Sequence, residues 1–248
     1  MKELLFSQSW YWFLLMAVVC YLIGCFNFAV LIARTKHKDA HKIGSGNPGT
    51  MNMTREFGLA VGLINFLCDA CKGGVPAIIS FFLFRDYVFA GTQVIVSDFT
   101  RYFCGLFVII GHIWPVTMRF RGGKGIASSL GLFWFCLSCE NPWNILIVFI
   151  VLLFGVVGYI AVTEWGSMGS LLGVSGLSVW QGLVFFFRYS ANGMLHNGWV
   201  VGTFLLLLAL NFLTWFAHRK NLVRLFAGEE HRTSVKKLSH GKRGTENM

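Results

Sequence analysis

Long apolar runs without a formal charge are the feature that most limits how this chain can fold. Residues 10–33, 143–163, 165–187 and 198–217 contain no Asp, Glu, Lys or Arg. About 20 apolar residues, each rising 1.5 Å, are needed to cross a hydrocarbon core of roughly 30 Å. Only 13% of all residues are charged, against roughly a quarter in an ordinary soluble domain. The sequence therefore predicts an all-α integral membrane protein, a multi-span helical bundle.

Three further segments complete the set of candidate spans. Residues 102–118 are apolar but slightly short, residues 126–139 suit either a tilted span or a re-entrant helix, and residues 57–84 exceed one crossing. Asp69 and Lys72 lie near the middle of the longest segment, where side chains three residues apart share a helix face and can neutralise each other. The two glycines and the proline that follow indicate instead that the helix breaks there.

The distribution of lysine and arginine predicts the orientation. Sixteen of the 21 lie in residues 34–56, in residues 119–125 and in the segment from His218 onward. Basic segments beside spans stay on the cytoplasmic side. Seven spans with an outside N-terminus and a cytoplasmic C-terminus satisfy this rule and are our prediction, although five spans would also satisfy it. Besides Lys72, the remaining basic residues are assigned to segments on the opposite side: Lys2, Arg85, Arg101 and Arg188.

Two glycine-rich segments follow spans on the predicted cytoplasmic side. The first, residues 44–55, reads GSGNPGTMNMTR, and three glycines and a proline in six positions exclude a helix interior there. Such a loop presents backbone N–H groups to an anion, and Ser45, Asn47, Asn52 and Arg55 add side-chain donors. An ordinary turn is the alternative.

The second glycine-rich segment covers residues 111–125. Gly111 and His112 are followed by Pro115 and then by FRGGKG, which opens into a run of small residues. A glycine-rich turn at a helix start supplies N–H groups and the positive end of the helix dipole, and Lys124 adds a charge for a phosphate. The spacing is not that of a Walker A loop, and a basic interfacial turn is the alternative. Two such loops on one membrane face favour a site for two phosphoryl groups.

Two pairs of polar residues at helical spacing lie near the same face. Ser167 and Ser170 begin one span and can donate to a ligand oxygen, although small residues also suit close helix packing. His218 and Asn221 follow the last span at the same spacing, where a histidine can equally be structural. The sequence contains no zinc motif, nucleophile elbow or paired-carboxylate motif, and no basic stripe typical of nucleic-acid binding.

These motifs together resemble the acyl-phosphate-dependent glycerol-3-phosphate acyltransferases of bacteria, the PlsY family. The family's Gly-Ser-Gly-Asn-x-Gly loop, ending in Asn and Arg, matches residues 44–55, and its Asp-x-x-Lys-Gly with a nearby proline matches residues 69–76. Gly-His-x-x-Pro and Phe-x-Gly-Gly-Lys-Gly match residues 111–125, and the serine pair matches residues 167–170. His-x-x-Asn, followed by Arg-Leu and Gly-x-Glu, matches residues 218–230.

The resemblance implies one membrane-embedded acyltransferase domain over residues 1–230. Residues 231–248 form a basic segment longer than the family needs, which we assign to a cytoplasmic tail without a catalytic role. The resemblance further implies a multi-pass protein of the bacterial inner (plasma) membrane with its active site on the cytoplasmic face. Acyl phosphate would acylate glycerol 3-phosphate without a cofactor or metal, giving lysophosphatidic acid and phosphate in the first step of phospholipid synthesis. Implied partners are these two substrates, membrane lipids and the enzyme that produces acyl phosphate, with no nucleic acid.

The resemblance also implies roles for individual residues. His218, Asn221, Lys124 and Ser167 are expected to be catalytic, by positioning glycerol 3-phosphate or by stabilising the oxyanion and the leaving phosphate. We favour a substrate phosphate over His218 as the acceptor of the hydroxyl proton, because no carboxylate evidently orients the histidine. The residues expected to bind substrate phosphate are Ser45, Gly46, Asn47, Asn52, Arg55, Gly122, Gly123, Lys124, Gly125 and Ser170.

A few positions depart from the family pattern. Thr50, Met51 and Ser128 stand where Ala, Thr and Thr are usual, which are small changes. Glu164 stands where a basic or neutral residue is common, and a carboxylate near a phosphate site would oppose anion binding. Two alternatives therefore stay open: a membrane transporter for an organic anion, and a relative with an altered phosphorylated acceptor. The lack of an internal repeat and the one-sided charge weigh against the transporter.

Overall fold

Each predicted apolar run forms a helix in the computed structural model, which describes residues 1–230 and 232. The elements in chain order are β1 (Lys2–Leu4), α1 (Phe6–Cys25), α2 (Phe28–Thr35), α3 (Thr50–Phe57), α4 (Leu59–Phe84), β2 (Tyr87–Phe89), α5 (Val96–Ile113), a 3₁₀ turn (Val116–Met118), α6 (Ile126–Glu140), α7 (Asn144–Ile150), a π-helical stretch (Val151–Val157), α8 (Gly158–Thr163), α9 (Gly166–Ser190), α10 (Gly198–Ala217) and α11 (Arg219–Phe226). The predicted basic tail, apart from Arg232, lies outside the described residues.

Six helical segments of the described chain are long and apolar enough to cross a membrane. The continuous run from α7 through α8, Asn144–Thr163, is one of them, which confirms the predicted helix over residues 143–163. Helix α6 has 15 residues, or about 22 Å at 1.5 Å per residue. It packs against α4, α5, α7 and α9, and Leu132, Phe133 and Cys136 on it are fully buried. The multi-span helical bundle is thereby confirmed, while the count of seven spans stays a prediction.

The first span breaks before it ends, between α1 and α2. The backbone is extended at Phe26 and Asn27, and the Asn27 side chain accepts a hydrogen bond from Val30 N as the N-cap of α2. Lys72 Nζ donates to the Phe26 carbonyl oxygen at 2.8 Å. The break is therefore stabilised by an N-cap and by a buried cation, both of which satisfy polar groups that lipid would leave unpaired.

The predicted break in the longest span is wrong, since α4 runs without interruption through Pro76. The glycines there serve a close helix crossing: a Cβ on Gly73 would lie 2.0 Å from the Ser128 carbonyl oxygen, and one on Gly131 would lie 2.1 Å from that of Ala70. Small residues let two helix backbones approach in a membrane. The close packing of α4 against α6 thus accounts for a glycine that looked like a helix breaker.

The assignment of Arg101 and Arg188 to connecting segments is also wrong. Arg101 lies in α5, is 0% exposed and contacts Asp98 Oδ1 at 2.5 Å and Glu140 Oε1 at 2.6 Å. Arg188 of α9 pairs with Asp98 Oδ2 at 2.6 Å and with Glu140, and Tyr189 donates its hydroxyl to Asp98. Two bases thus neutralise two acids within the bundle, so that α5 can begin at Val96, six residues earlier than predicted.

A short parallel strand pair shows which helix ends lie together. β1 pairs with β2 from Lys2 opposite Tyr87 to Leu4 opposite Phe89, so α1 and α5 begin at the same end of the bundle. Their other ends also meet, because the Tyr21 hydroxyl donates to the Trp114 carbonyl oxygen at 3.0 Å. Both glycine-rich loops leave the bundle at that second end, which we call the loop end.

Candidate active site

The first glycine-rich loop is shaped by Asn52 from α3. Its Oδ1 accepts from Ser45 N at 2.9 Å, and its Nδ2 donates to the Ile43 carbonyl oxygen at 3.0 Å. Gly44 and Gly46 have φ values of 51° and 71°, which glycine adopts readily. Asn52 is buried and bonded within the loop, so it holds the loop in shape and leaves Ser45 exposed to a ligand.

The second glycine-rich loop folds back onto the end of α5. Gly122 N donates to the Ile113 carbonyl oxygen and Gly123 N donates to that of His112, both at 3.1 Å. A Cβ on Gly122 would lie 2.0 Å from the His112 carbonyl oxygen, so glycine is required there. This tight turn places Lys124 just before Gly125, the N-cap residue of α6, beside the positive end of the helix dipole.

Lys124 belongs to a polar cluster drawn from three distant parts of the chain. Its Nζ donates to Asn221 Oδ1 at 2.5 Å, and Asn221 Nδ2 donates to Ser167 Oγ at 2.7 Å. Ser167 Oγ in turn donates to Glu230 Oε1 at 2.5 Å. The structure therefore brings together three of the four residues predicted to be catalytic.

Two arginines add to the positive potential around Lys124. Burial lowers the pKa of Lys124 from 10.5 to about 8, with the charges of Arg224 and Arg55 acting in the same direction and Glu230 opposing them. Arg55 lies in α3, directly after the first glycine-rich loop, and Lys124 lies in the second, so the charges of both segments act on one region. The site thus combines several cations with one carboxylate.

His218, the fourth predicted catalytic residue, is neutral and oriented. Its Nδ1 lies 2.8 Å from the Thr214 carbonyl oxygen, which can only accept, so Nδ1 carries the proton and Nε2 keeps a lone pair. Burial, reinforced by the Lys124 charge, lowers the pKa of His218 from 6.5 to about 4. A histidine with this pKa can accept a hydrogen bond from a substrate hydroxyl but is a weak base at neutral pH.

Other predicted residues have different contacts. Ser170 donates to the Gly166 carbonyl oxygen of its own helix at 2.7 Å, so its contact with substrate stays a prediction. Asn47 is half-buried beside Gly49, on which a Cβ would lie 2.9 Å from Asn47 Nδ2. Glu164, the departure from the family pattern, faces Arg232 at 3.7 Å, so part of its charge is neutralised by the described end of the chain.

Two residues of the site, Glu230 and Arg224, were not predicted from the sequence. Glu230 closes the cluster by accepting from Ser167 and, at 3.1 Å, from Asn221 Nδ2. Arg224 Nε is buried without a hydrogen-bond partner among residues 1–230 and 232. Both belong to the closing part of the motif that follows Asn221, where the adjacent carboxylates of Glu229 and Glu230 among basic residues were the available signal.

We expect Gly122→Ala to abolish most activity, because the added Cβ would displace the second loop from the His112 carbonyl oxygen. A misplacement of roughly 1 Å costs on the order of 100-fold in rate, so kcat/KM of the purified variant should fall by about that factor. Gly176→Ala in α9 is the matched control, since no heavy atom lies within 4 Å of its added Cβ. Full activity of Gly122→Ala would show that the turn tolerates rearrangement.

Comparison with known proteins shows that the chain is similar to a family of enzymes. A family model described as glycerol-3-phosphate acyltransferase matches residues 14–228. The glycerol-3-phosphate acyltransferase of Finegoldia magna is 32% identical over 224 residues, covering 90% of this chain and 97% of that relative. The enzyme of the same name from Aquifex aeolicus is 30% identical over 219 residues, covering 88% and 98%.

Two solved structures share the fold. They are crystal structures of PlsY, an integral membrane glycerol 3-phosphate acyltransferase, in its glycerol 3-phosphate form and its lysophosphatidic acid form. The chain superposes on the first with a TM-score of 0.67 at 28% identity, covering 90% of this chain and 96% of that one. For the second, the TM-score is 0.66 at 28% identity, with 91% and 97% covered.

Proposed function

The chain belongs to the glycerol-3-phosphate acyltransferase family and is an integral membrane acyltransferase, and from this premise we propose that acyl phosphate is its donor. Glycerol 3-phosphate is the acceptor, and lysophosphatidic acid and inorganic phosphate are the products. The observation that carries this proposal is the cluster at the end of an apolar bundle in which Lys124 contacts Asn221 and lies within the electrostatic influence of Arg55 and Arg224. Such a site can hold two phosphoryl groups while an acyl chain extends into lipid.

The phosphate-binding part of the site consists of the two loops. Ser45, Arg55 and Lys124 bind phosphate oxygens together with the backbone amides of Asn47, Lys124 and Gly125. The amides of Gly46, Gly122 and Gly123, which were also predicted to bind phosphate, instead donate to carbonyl oxygens of the protein and shape the turns. Asn52 acts indirectly, by holding Ser45 in place. Lys124 also neutralises the charge that develops on the leaving phosphate as the acyl carbon–oxygen bond breaks.

The acceptor is positioned by the other polar residues of the cluster. His218 Nε2 accepts a hydrogen bond from the glycerol hydroxyl, and Ser167 and Asn221 orient the substrate for attack on the acyl carbonyl carbon. The hydroxyl oxygen forms the ester bond, the phosphate departs with the electron pair of the broken bond, and a substrate phosphate takes the hydroxyl proton. The low pKa of His218 supports this route, since a weakly basic imidazole is poorly suited to removing that proton.

The proposed membrane location and orientation follow from the basic residues around the loops. We place the protein in the bacterial plasma membrane with the loop end facing the cytoplasm, because the basic segments 34–56 and 119–125 leave the bundle there. That side also gives access to the enzyme that supplies acyl phosphate. A cysteine introduced in place of exposed Arg121 should be labelled by a membrane-impermeant fluorescent maleimide only after the membrane is opened. Labelling from outside in sealed cells would reverse the orientation.

The donor is tested with the purified, detergent-solubilised protein, radiolabelled glycerol 3-phosphate and either palmitoyl phosphate or palmitoyl-CoA. We expect labelled lysophosphatidic acid with palmitoyl phosphate and none above background with the thioester. Product from palmitoyl-CoA alone would overturn the donor. Folded protein that forms no product with either donor would favour an altered phosphorylated acceptor first and an organic-anion transporter second.

We expect kcat/KM for glycerol 3-phosphate to fall as pH rises through about 8. The pKa of Lys124 in the free enzyme is lowered to about 8, so this cation loses its charge at a lower pH than an ordinary lysine does, and kcat/KM reports ionisations of the free enzyme. In Lys124→Arg this alkaline decrease, the descending arm of the pH profile, should move beyond the alkaline limit of the assay, because the arginine guanidinium stays protonated. An unchanged arm in that variant would assign it to another group.

A further inference from the structure

A buried chain of polar side chains lies beneath the site on α4. Asn65, Asp69 and Lys72 are 0%, 1% and 7% exposed, and the transfer steps described above use none of them. Polar and charged groups within a spanning helix are costly and are retained where they serve the function. Their contacts lead toward both glycine-rich loops.

One branch of this chain reaches the first loop through Asn65. Its Nδ2 donates to Asp69 Oδ2 at 3.2 Å and to Thr50 Oγ1 at 3.3 Å. Thr50 is the first residue of α3 and directly follows Gly49 of the loop. Asp69 is therefore connected to the point where the first loop enters its helix.

A second branch reaches the same loop through Lys72. Its Nζ lies 2.8 Å from Asp69 Oδ1 and donates to the Phe26 carbonyl oxygen at 2.8 Å. The next residue, Asn27, donates its Nδ2 to the Pro48 carbonyl oxygen at 3.2 Å. The first loop is thus held at two neighbouring positions, Pro48 and Thr50, by contacts that both return to Asp69.

The remaining branch reaches the second loop through His112. His112 Nδ1 lies 3.9 Å from Asp69 Oδ1 and has no hydrogen-bond partner in the part of the chain that the structure describes. The opposite side of the ring supports Gly123, on which a Cβ would lie 2.3 Å from His112 Nε2. Asp69 therefore faces the residue against which the second loop folds.

We propose that Asp69 is a positioning residue that sets the separation of the two phosphate-binding loops, acting through Asn65 and Lys72 on the first loop and through His112 on the second. The inference rests on the proposed function, because a reaction between two phosphorylated substrates requires both loops in one relative placement. When Asp69 is changed, each loop still contains the groups that bind its substrate phosphate. Binding of each substrate is therefore retained while the rate of transfer falls, since misplacement by roughly 1 Å costs about 100-fold.

The kinetic test compares Asp69→Asn with Ser80→Ala. Ser80 donates to Thr100 Oγ1 at 2.6 Å across the same α4–α5 interface, about 16 Å along the helix from Asp69 at 1.5 Å per residue. We expect Asp69→Asn to lower kcat at least tenfold with KM for either substrate changed less than threefold, and Ser80→Ala to keep kcat within twofold. Equal losses in both variants would show a general effect of removing a buried polar contact and would overturn the proposal.

Asp69→Asn also leaves the buried Lys72 without its carboxylate partner. A second pair of variants, at Thr50, leaves this ion pair unchanged. Thr50→Val removes only the hydroxyl that Asn65 contacts, whereas Thr50→Ser keeps it. We expect Thr50→Val to lower kcat at least threefold, Thr50→Ser to retain it, and Thr50→Val to add little further loss to Asp69→Asn, because both changes break one pathway. Additive losses, or equal behaviour of the two Thr50 variants, would contradict the connection.

Hydrogen–deuterium exchange of the unliganded protein separates this inference from the proposed function. Asp69→Asn should exchange faster than wild type in both segments 43–50 and 121–125, and Ser80→Ala in neither. Faster exchange in one loop alone would overturn the coupling. A wild-type protein that forms no lysophosphatidic acid would refute the proposed function, while the exchange difference would still decide whether Asp69 couples the loops.

Discussion

Lys124→Ala is expected to lower kcat/KM for acyl transfer by about 10²–10³-fold, the range found when one donor to a developing negative charge is removed. Lys124 contacts Asn221 directly and links the second glycine-rich loop to Ser167 through it. The substitution therefore removes both the charge that meets the leaving phosphate and the contact that orients Asn221. We expect both kcat to fall and KM for glycerol 3-phosphate to rise.

The measurement is lysophosphatidic acid formation at saturating and subsaturating acceptor, with Arg121→Ala as the matched control. Arg121 is a basic residue of the same turn, but it is exposed and we give it no role in transfer. Its loss should change kcat/KM less than threefold. Similar losses in both variants would mean that the turn contributes only a diffuse positive potential, and a fully active Lys124→Ala would remove Lys124 from the mechanism.

Arg101→Met is expected to destabilise the folded protein by roughly 3–5 kcal/mol, the usual consequence of removing one partner of a buried ion pair. Arg101 is fully buried and its Nη2 contacts both Asp98 and Glu140. It also donates to the carbonyl oxygens of Ser97 and Cys136. Its loss leaves two buried carboxylates with Arg188 as their remaining cation.

Stability is measured by denaturant titration in detergent, with intrinsic tryptophan fluorescence as the signal. Arg85→Ala is the control, because Arg85 is exposed and lies 3.9 Å from exposed Asp86; we expect less than about 1 kcal/mol of change there. Adding Glu140→Gln to Arg101→Met restores neutrality and should recover part of the lost stability. No loss in Arg101→Met, or a further loss in the double variant, would contradict a charge-balanced cluster.

The main outline of this protein was readable from local sequence. The helix predicted over residues 198–217 is confirmed as Gly198–Ala217, and the one predicted over residues 126–139 as Ile126–Glu140. Run length and charge are properties of consecutive residues, and lipid leaves an apolar run of sufficient length little alternative to a helix. The same holds for the loops, because glycines at positions 44, 46, 122, 123 and 125 disfavour a continuous helix and permit backbone conformations with positive φ, which Gly44, Gly46 and Gly125 adopt.

Prediction from the sequence failed where the role of a residue depended on its neighbour in another helix. The sequence indicated a helix break at Gly73 and Pro76, but α4 continues through both residues. Gly73 instead allows a close approach to the backbone of α6. Arg101 and Arg188 were assigned to segments between spans, because an unpaired charge is costly inside a membrane. No local sequence pattern indicated that Asp98 and Glu140 would neutralise these two arginines.

By itself, the sequence determined that the chain is a helical membrane protein, where its apolar runs lie and which glycine-rich loops are candidates for binding phosphate. Only the tertiary structure decided that Glu230 joins Ser167 and Asn221, that Arg224 adds to the charge around Lys124, and that Asp69 lies between Lys72 and His112. The physical reason is the range of the interactions. Hydrophobicity and backbone freedom act within consecutive residues, whereas the site depends on contacts such as that between Lys124 and Asn221, which are 97 positions apart.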